Sequence, residues 1–217
     1  GKRNGLYSRK ASYNYSYTLE YVNDIKEGIY TLTYKDSVYT ATFKDDLPYN
    51  GSYLNPENLI LENYVNGNRD GYITETNEYT QLDFITLFKE GEKIETSVID
   101  KLTKKEISKL IYKNNKAFDG DSLYIKDFSY KEITPFKNGK INGLKKKFSF
   151  VSSGDFELLE SIEYKNDIKE GNYFYKLKNE ENGIKNIEGI YKNDQAYEGS
   201  FLVKEKDLTI ISNYKKW

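Results

Sequence analysis

The side chains available for chemistry are restricted from the outset: the 217-residue chain contains neither histidine nor cysteine. Thiol nucleophiles, disulfides, thiolate or imidazole metal sites and every triad or dyad that needs an imidazole are therefore absent. What remains is 34 carboxylates, 33 Lys or Arg side chains and 22 tyrosines. Acid pairs at Asp45-Asp46 and Glu180-Glu181 are the arrangement a glycosidase or a Ca²⁺ site would start from. Neither has ligand spacing, and both fit a solvated face of an acid-rich chain. The compact basic runs, Lys145-Lys-Lys147 and Lys215-Lys216, could form a small anion patch or could protect sheet edges from pairing. No catalytic residue, no cofactor-binding residue and no metal ligand is assigned.

Composition points the same way. Only 37% of residues are hydrophobic and 31% are charged, yet aromatics reach 16%. Tyrosine stands in for aliphatic core, burying its ring while its hydroxyl stays at a wet edge. The formal net charge of -1 gives no field for nucleic acid, so no nucleic-acid partner is expected. No apolar run approaches the ~18–20 residues of a membrane-spanning helix. A chain without methionine that opens on Gly1-Lys2-Arg3 is expected to be a piece of a longer protein, and an envelope or secreted location is favoured over the cytoplasm.

The elements that must position these groups are set by an internal repeat. Tyr21-Val-Asn-Asp-Ile-Lys-Glu-Gly28 returns almost unchanged as Tyr164-Lys-Asn-Asp-Ile-Lys-Glu-Gly171. Further copies begin at Phe43, Tyr64, Phe88, Tyr112, Phe136 and Tyr191, and the glycines close them at Gly51, Gly71, Gly120, Gly143 and Gly199. The Asn-Asp, Asn-Gly, Asp-Asp or Asn-Asn pair after each anchor is turn chemistry, because these residues tolerate positive φ. Stretches such as Phe156, Leu158, Ile162 and Tyr164 alternate with the period of a half-buried strand. Pro48, Pro56 and Pro135 are placed in or beside the turns. Lys101 to Leu110 could form a short helix but occupies a strand slot and is read as strand. Gly follows the anchor by seven residues in one variant. In the other it follows by eight, with an extra aromatic at Tyr49, Phe118 or Tyr197 that should lengthen the turn or add a bulge.

The fold expected is all-β: an elongated single-layer array of antiparallel β-hairpin repeats, about nine units of 21–28 residues, running as one continuous domain over 1–217. The anchors Tyr21, Phe43, Tyr64, Phe88, Tyr112, Phe136, Tyr164 and Tyr191 are read as core. The glycines Gly28, Gly51, Gly71, Gly120, Gly143, Gly171 and Gly199 are read as backbone geometry. Tyr13, Tyr15, Tyr17, Tyr173 and Tyr175 are the candidate binding surface, on the argument that alternate members of Tyr13-Asn-Tyr-Ser-Tyr17 and Tyr173-Phe-Tyr175 face opposite sides of the sheet and so leave some rings exposed.

Phe136-Lys-Asn-Gly-Lys-Ile-Asn-Gly143 and Tyr64-Val-Asn-Gly-Asn-Arg-Asp-Gly71 resemble MORN repeats of the bacterial variant found in proteins labelled YwqK-type antitoxins. The chain departs from eukaryotic-type units, which favour a Trp and a second Gly pair. The resemblance implies stacked antiparallel hairpins, and its label suggests an antitoxin or immunity role. The functional expectation is a non-enzymatic interaction module with a protein partner. The alternative is an envelope or carbohydrate-binding repeat protein whose tyrosines stack on sugar rings. Phospholipid contact ranks third.

Overall fold

The computed structural model describes residues 1–12, 15–126, 129–151, 156–179, 183–205 and 208–215; the side chains of 11, 12, 15, 179, 204, 205, 208 and 209 are not described. The protein is all-β and antiparallel, with no helix among the described residues and no sheet closed into a barrel. It divides into two compact units, Gly1–Ile107 and Ser108–Trp217.

In the first unit the strands are β1 (Gly5–Ser12), β2 (Tyr15–Val22), β3 (Ile25–Tyr34), β4 (Ser37–Lys44), β5 (Leu47–Leu54), β6 (Leu61–Val65), β7 (Asn68–Arg69), β8 (Gly71–Asn77), β9 (Leu82–Lys89) and β10 (Glu92–Asp100). Strands β1 to β7 pair in sequence order, and β8, β9 and β10 pair in order as part of another sheet. In the second unit β11 (Glu106–Lys113), which begins at the boundary, is followed by β12 (Lys116–Lys126), β13 (Tyr130–Lys137), β14 (Lys140–Ile141), β15 (Gly143–Phe150), β16 (Phe156–Lys165), β17 (Ile168–Asn179), β18 (Gly183–Lys192), β19 (Gln195–Glu205) and β20 (Leu208–Tyr214). These also pair with their sequence neighbours, except that β15 pairs β13 past the two-residue β14. Lys101–Lys105, expected as strand, instead forms a turn: Asp100 Oδ1 accepts the amides of Leu102 and Thr103 at 3.0 and 2.7 Å, and the strand starts at Glu106.

The turns follow from their residues. Asn23-Asp24, Asp45-Asp46, Asn114-Asn115, Asn166-Asp167 and Asn193-Asp194 all have positive φ at both positions, as does Lys35-Asp36 between β3 and β4. That is the type I′ hairpin, whose twist matches the strands it joins. Successive turns are then tied together. The amide of the second turn residue donates to a carbonyl two residues before the glycine of the preceding copy in Asp24 to Arg3, Asp46 to Lys26, Gly67 to Tyr49, Gly91 to Arg69, Gly139 to Phe118, Asp167 to Ile141 and Asp194 to Lys169. The residue just before that glycine reaches forward: Asn4, Glu27, Asn50, Asp70, Asp119 and Glu170 accept from the first turn residue of the next copy at 2.8–3.1 Å. The turns form a ladder whose rungs each contribute on the order of 0.5–1.5 kcal/mol.

The extra aromatic of the longer copies does not lengthen the turn. It sits in the outgoing strand as a bulge: Phe43 pairs with Pro48 and Thr42 with Asn50, leaving Tyr49 unopposed, and Phe118 and Tyr197 are skipped in the same way. Pro135 lies inside β13, paired with Asp121 and not beside a turn. It is tolerated because the ladder from β13 to β15 starts only at Ile133, so no sheet bond toward β15 needs the amide it lacks.

The core lies on one face and is built from rings. In the first unit Leu19, Tyr21, Tyr30, Leu32, Ala41, Phe43 and Leu54 are buried together. Tyr30 lies 5.6 Å from Phe43 and 5.1 Å from Tyr53, and its hydroxyl donates to the Leu54 carbonyl at 2.9 Å. In the second unit Tyr173 stacks on Phe201 at 5.0 Å, and Tyr191 meets Phe201 edge-on at 4.9 Å. Gly189 makes room for this: a Cβ there would fall 2.5 Å from the Phe201 ring. Gly51 answers to backbone, with φ +96° and a Cβ position 2.5 Å from the Thr40 carbonyl oxygen.

Two classes of residue therefore fill the core. Of the anchors, Tyr21, Phe43 and Phe88 are buried, while Tyr64, Tyr112, Phe136, Tyr164 and Tyr191 are half-buried. The second class is the residue two past the repeat glycine, which in several copies is a packed ring: Tyr30, Tyr53, Tyr173 and Phe201. All seven repeat glycines have φ between +90° and +118°, a region open chiefly to glycine.

Candidate functional site

The tyrosines expected to face outward do not gather at a surface. Tyr173 is 4% exposed and belongs to the core of the second unit. Tyr175 packs partly buried against the same core, and Tyr17 does so in the first unit, 6.2 Å from Tyr30. The reason is the strand period: Tyr173 and Tyr175 are two apart, share one face, and that face is the packed one. Tyr13 lies outside the described residues, as does the side chain of Tyr15.

The other sequence candidates are engaged structurally. Asp45 and Asp46 form a turn, with Asp46 Oδ1 accepting from the Lys26 amide at 2.8 Å. Lys145 pairs with Glu132 at 3.0 Å, and Lys147 lies over the Tyr130 ring at 4.5 Å. Glu180, Glu181, Lys216 and the Lys215 run's partner Trp217 lie outside the described residues. Among the described residues no group of three or more acids is placed to hold a metal ion.

A concave site forms in the first unit, where the row of rings is interrupted. At the position held by Tyr30 and Tyr53 in the preceding copies, β8 carries the smaller Ile73. The space is a hollow of about 260 Å³ lined by Ile60, Glu62, Arg69, Ile73, Glu75, Thr86, Phe88 and Lys93. Alternation explains the lining: Ile73 and Glu75 share one face of β8, and Thr86 and Phe88 share the matching face of β9.

Glu62 organises the floor. Its Oε1 lies 2.7 Å from Arg69 Nη2, and its Oε2 accepts the Tyr64 hydroxyl at 2.7 Å. The Glu62 side chain is 13% exposed against 46% for Arg69, so the pair is half inside. Burial and the bond to Glu62 raise the Tyr64 hydroxyl above the ordinary tyrosine range. Burial pulls Arg69 down, but the bond to Tyr64 and the charge of Glu62 outweigh it and leave the guanidinium raised. Arg69 and Lys93 approach the Phe88 ring at 5.6 and 6.0 Å, and Thr86 shares a hydrogen bond of 2.9 Å with Thr96.

With both carboxylate oxygens of Glu62 engaged, this is a geometry for recognition: apolar walls, a ring, and charges at fixed places. Sequence reading missed it because Glu62, Arg69 and Glu75 occupy different positions of the repeat. The one available signal was Ile73, an aliphatic residue in an aromatic column. No family model matches the chain, and no curated protein matches it.

Proposed function

We propose that the chain is a bacterial-variant MORN-like β-hairpin repeat protein that acts as a non-enzymatic module for binding a protein partner. The observation that carries this reading is an exposed apolar residue directly after the glycine in four copies: Leu6, Ile29, Tyr72 and Leu144 are 69%, 53%, 59% and 40% exposed. Ile29 and Tyr72 precede the buried Tyr30 and Ile73 and so point the other way. Apolar side chains repeated on the outer face of a thin sheet are docking material. An antitoxin or immunity role is the specific form of this reading that the repeat resemblance suggests.

The test is co-expression with the product of the adjacent gene, followed by gel filtration. A co-eluting complex is expected, weakened about tenfold or more by Ile29→Asp or Tyr72→Asp with the thermal transition unchanged. Separate elution, or variants that bind as well as the parent, would reject it.

Carbohydrate binding survives as a second reading on different rings from those first considered. Tyr72, Tyr79 and Tyr124 are 59%, 74% and 53% exposed and could stack on sugars. Silence of the chain across a glycan array would remove it.

A further inference from the structure

The hollow lies beside a strand edge that has no strand partner. Past the turn at Asn66-Gly67, the chain is pinned once by the Asp70 amide on the Asn63 carbonyl at 2.8 Å. Beyond that point β8 hydrogen-bonds as a strand only to β9 among the described residues, and it ends its sheet. Strand β6 cannot supply the other side because it begins at Leu61. The residues before it are folded into a loop: Asn55 exchanges backbone bonds with Leu59 and Ile60, Asn58 Oδ1 accepts the Ile60 amide, and Leu59 has φ +58°. Thr74, Glu75 and Thr76 are consequently exposed, in the middle of the chain's strand order.

An unpaired edge of this kind offers N–H and C=O groups in the spacing of an added strand. Charges of both signs line the hollow, Glu62 and Glu75 with Arg69 and Lys93, and Glu75 is the charged residue on β8 itself. Glu75, on the rim of the hollow, makes no hydrogen bond or ion pair among the described residues. Its acidic neighbours are already engaged, Glu62 by Arg69 and Tyr64, and Glu78 by Lys101 at 3.4 Å. Ile60, Ile73 and Phe88 line the hollow behind Glu75 and could take the methylene stem of a long cationic side chain.

We propose that the β8 edge at Thr74–Asn77 accepts an extended segment of a partner protein as an added strand, with a lysine or arginine of that segment paired to Glu75 at the rim of the hollow. This rests on the interaction-module reading and gives that module a second contact, separate from the outer face at Ile29 and Tyr72.

The experiment is selection from a random peptide library displayed on phage, using the whole chain as bait, in parallel with Glu75→Lys. The parent should enrich peptides that alternate β-branched residues and hold a basic residue at one position; Glu75→Lys should enrich acidic residues there. A synthetic peptide from the parent pool should bind Glu75→Gln about fivefold to tenfold more weakly. It should also slow amide exchange at Thr74–Asn77 while leaving Lys146–Ser149 unchanged. Pools without a basic residue, identical pools from parent and Glu75→Lys, or protection elsewhere would overturn the proposal. If the partner still co-elutes and is lost only on Ile29→Asp or Tyr72→Asp, the module reading stands and the edge site alone falls.

Discussion

Tyr64–Gly71 and Phe136–Gly143 carry the same turn pattern and begin the same way, yet they leave the sheet in different states. Both place Asn-Gly in the turn, both add a two-residue strand, and both pin the chain by one backbone bond, Asp70 to Asn63 and Asn142 to Pro135. After that β15 rejoins β13 from Ile133–Lys146 to Tyr130–Ser149, whereas β8 never rejoins β6. The difference lies outside the repeat pattern. Strand β13 spans eight residues and β6 five, because Asn55 to Ile60 is spent on a loop. In the sealed copy the positions of Glu62 and Arg69 are held by Thr134 and Ile141, so no ion pair forms there. Turn chemistry thus governs how the chain reverses, and the length of the strand before the anchor governs whether the sheet continues.

The sharpest way to break this comparison is at the anchor that follows each copy. Phe88 is 8% exposed and floors the hollow, whereas Tyr164 is half-buried. Phe88→Ala is expected to cost about 3–5 kcal/mol, and Tyr164→Ala markedly less. Because the chain has two units, the readout should be local amide exchange across β8 to β10 and across β15 to β17 rather than one global transition.

Next in size is the charge network. Glu62→Ala strands a half-buried guanidinium and a phenol, at an expected cost of about 1–3 kcal/mol. Thr134→Ala removes only a 3.2 Å bond to Glu132, at about 0.5–1.5 kcal/mol. The double change Glu62→Thr with Arg69→Ile, which installs the residues of the sealed copy, should cost less than the two single changes added together. Additivity in a double-mutant cycle would show that the pair is not coupled.

Much of this was legible in advance, and what was not has a physical reason. The all-β fold and the turn residues could be read from local chemistry, because Asn-Asp and Asn-Gly act within four residues. The reading of tyrosine failed at Tyr173: a strand's period says which residues share a face but not which face is packed. Acceptors such as Glu27 and Asp70 were visible before every glycine, but their partners lie in the next copy, about 20 residues on, and pairing at that range needs the register. The hollow was beyond reach because it depends on a missing stretch of β6, a consequence of the Asn55–Ile60 loop.

A smaller effect should sharpen the part the two copies share. Gly67 and Gly139 have φ +78° and +76°, and a Cβ at either would meet only the ring of Tyr49 or Phe118 at 3.5 or 3.7 Å. Alanine therefore pays for its backbone conformation and not for a clash, about 1–2 kcal/mol. Gly67→Ala and Gly139→Ala should cost the same within error in urea-dependent exchange. Unequal costs would mean that the open edge feeds back on the turn.

The smallest difference expected is a dependence on pH. Tyr64 donates to Glu62 and is held above the ordinary tyrosine range by burial first and by that bond second, with Arg69 opposing. A group whose folded value is raised contributes stability that is fully present below its unfolded value and is lost as pH climbs through the folded one. For tyrosine that window opens near pH ~10. Its counterpart Phe136 has nothing to titrate. The stability of the parent relative to Tyr64→Phe should hence be constant from neutral pH to about 9 and shrink above 10. Exchange in β6 and β8 should report the change, and β13 and β15 should not follow it at this position. A gap between parent and variant that stays constant through pH 11 would place the Tyr64 hydroxyl outside the Glu62 network.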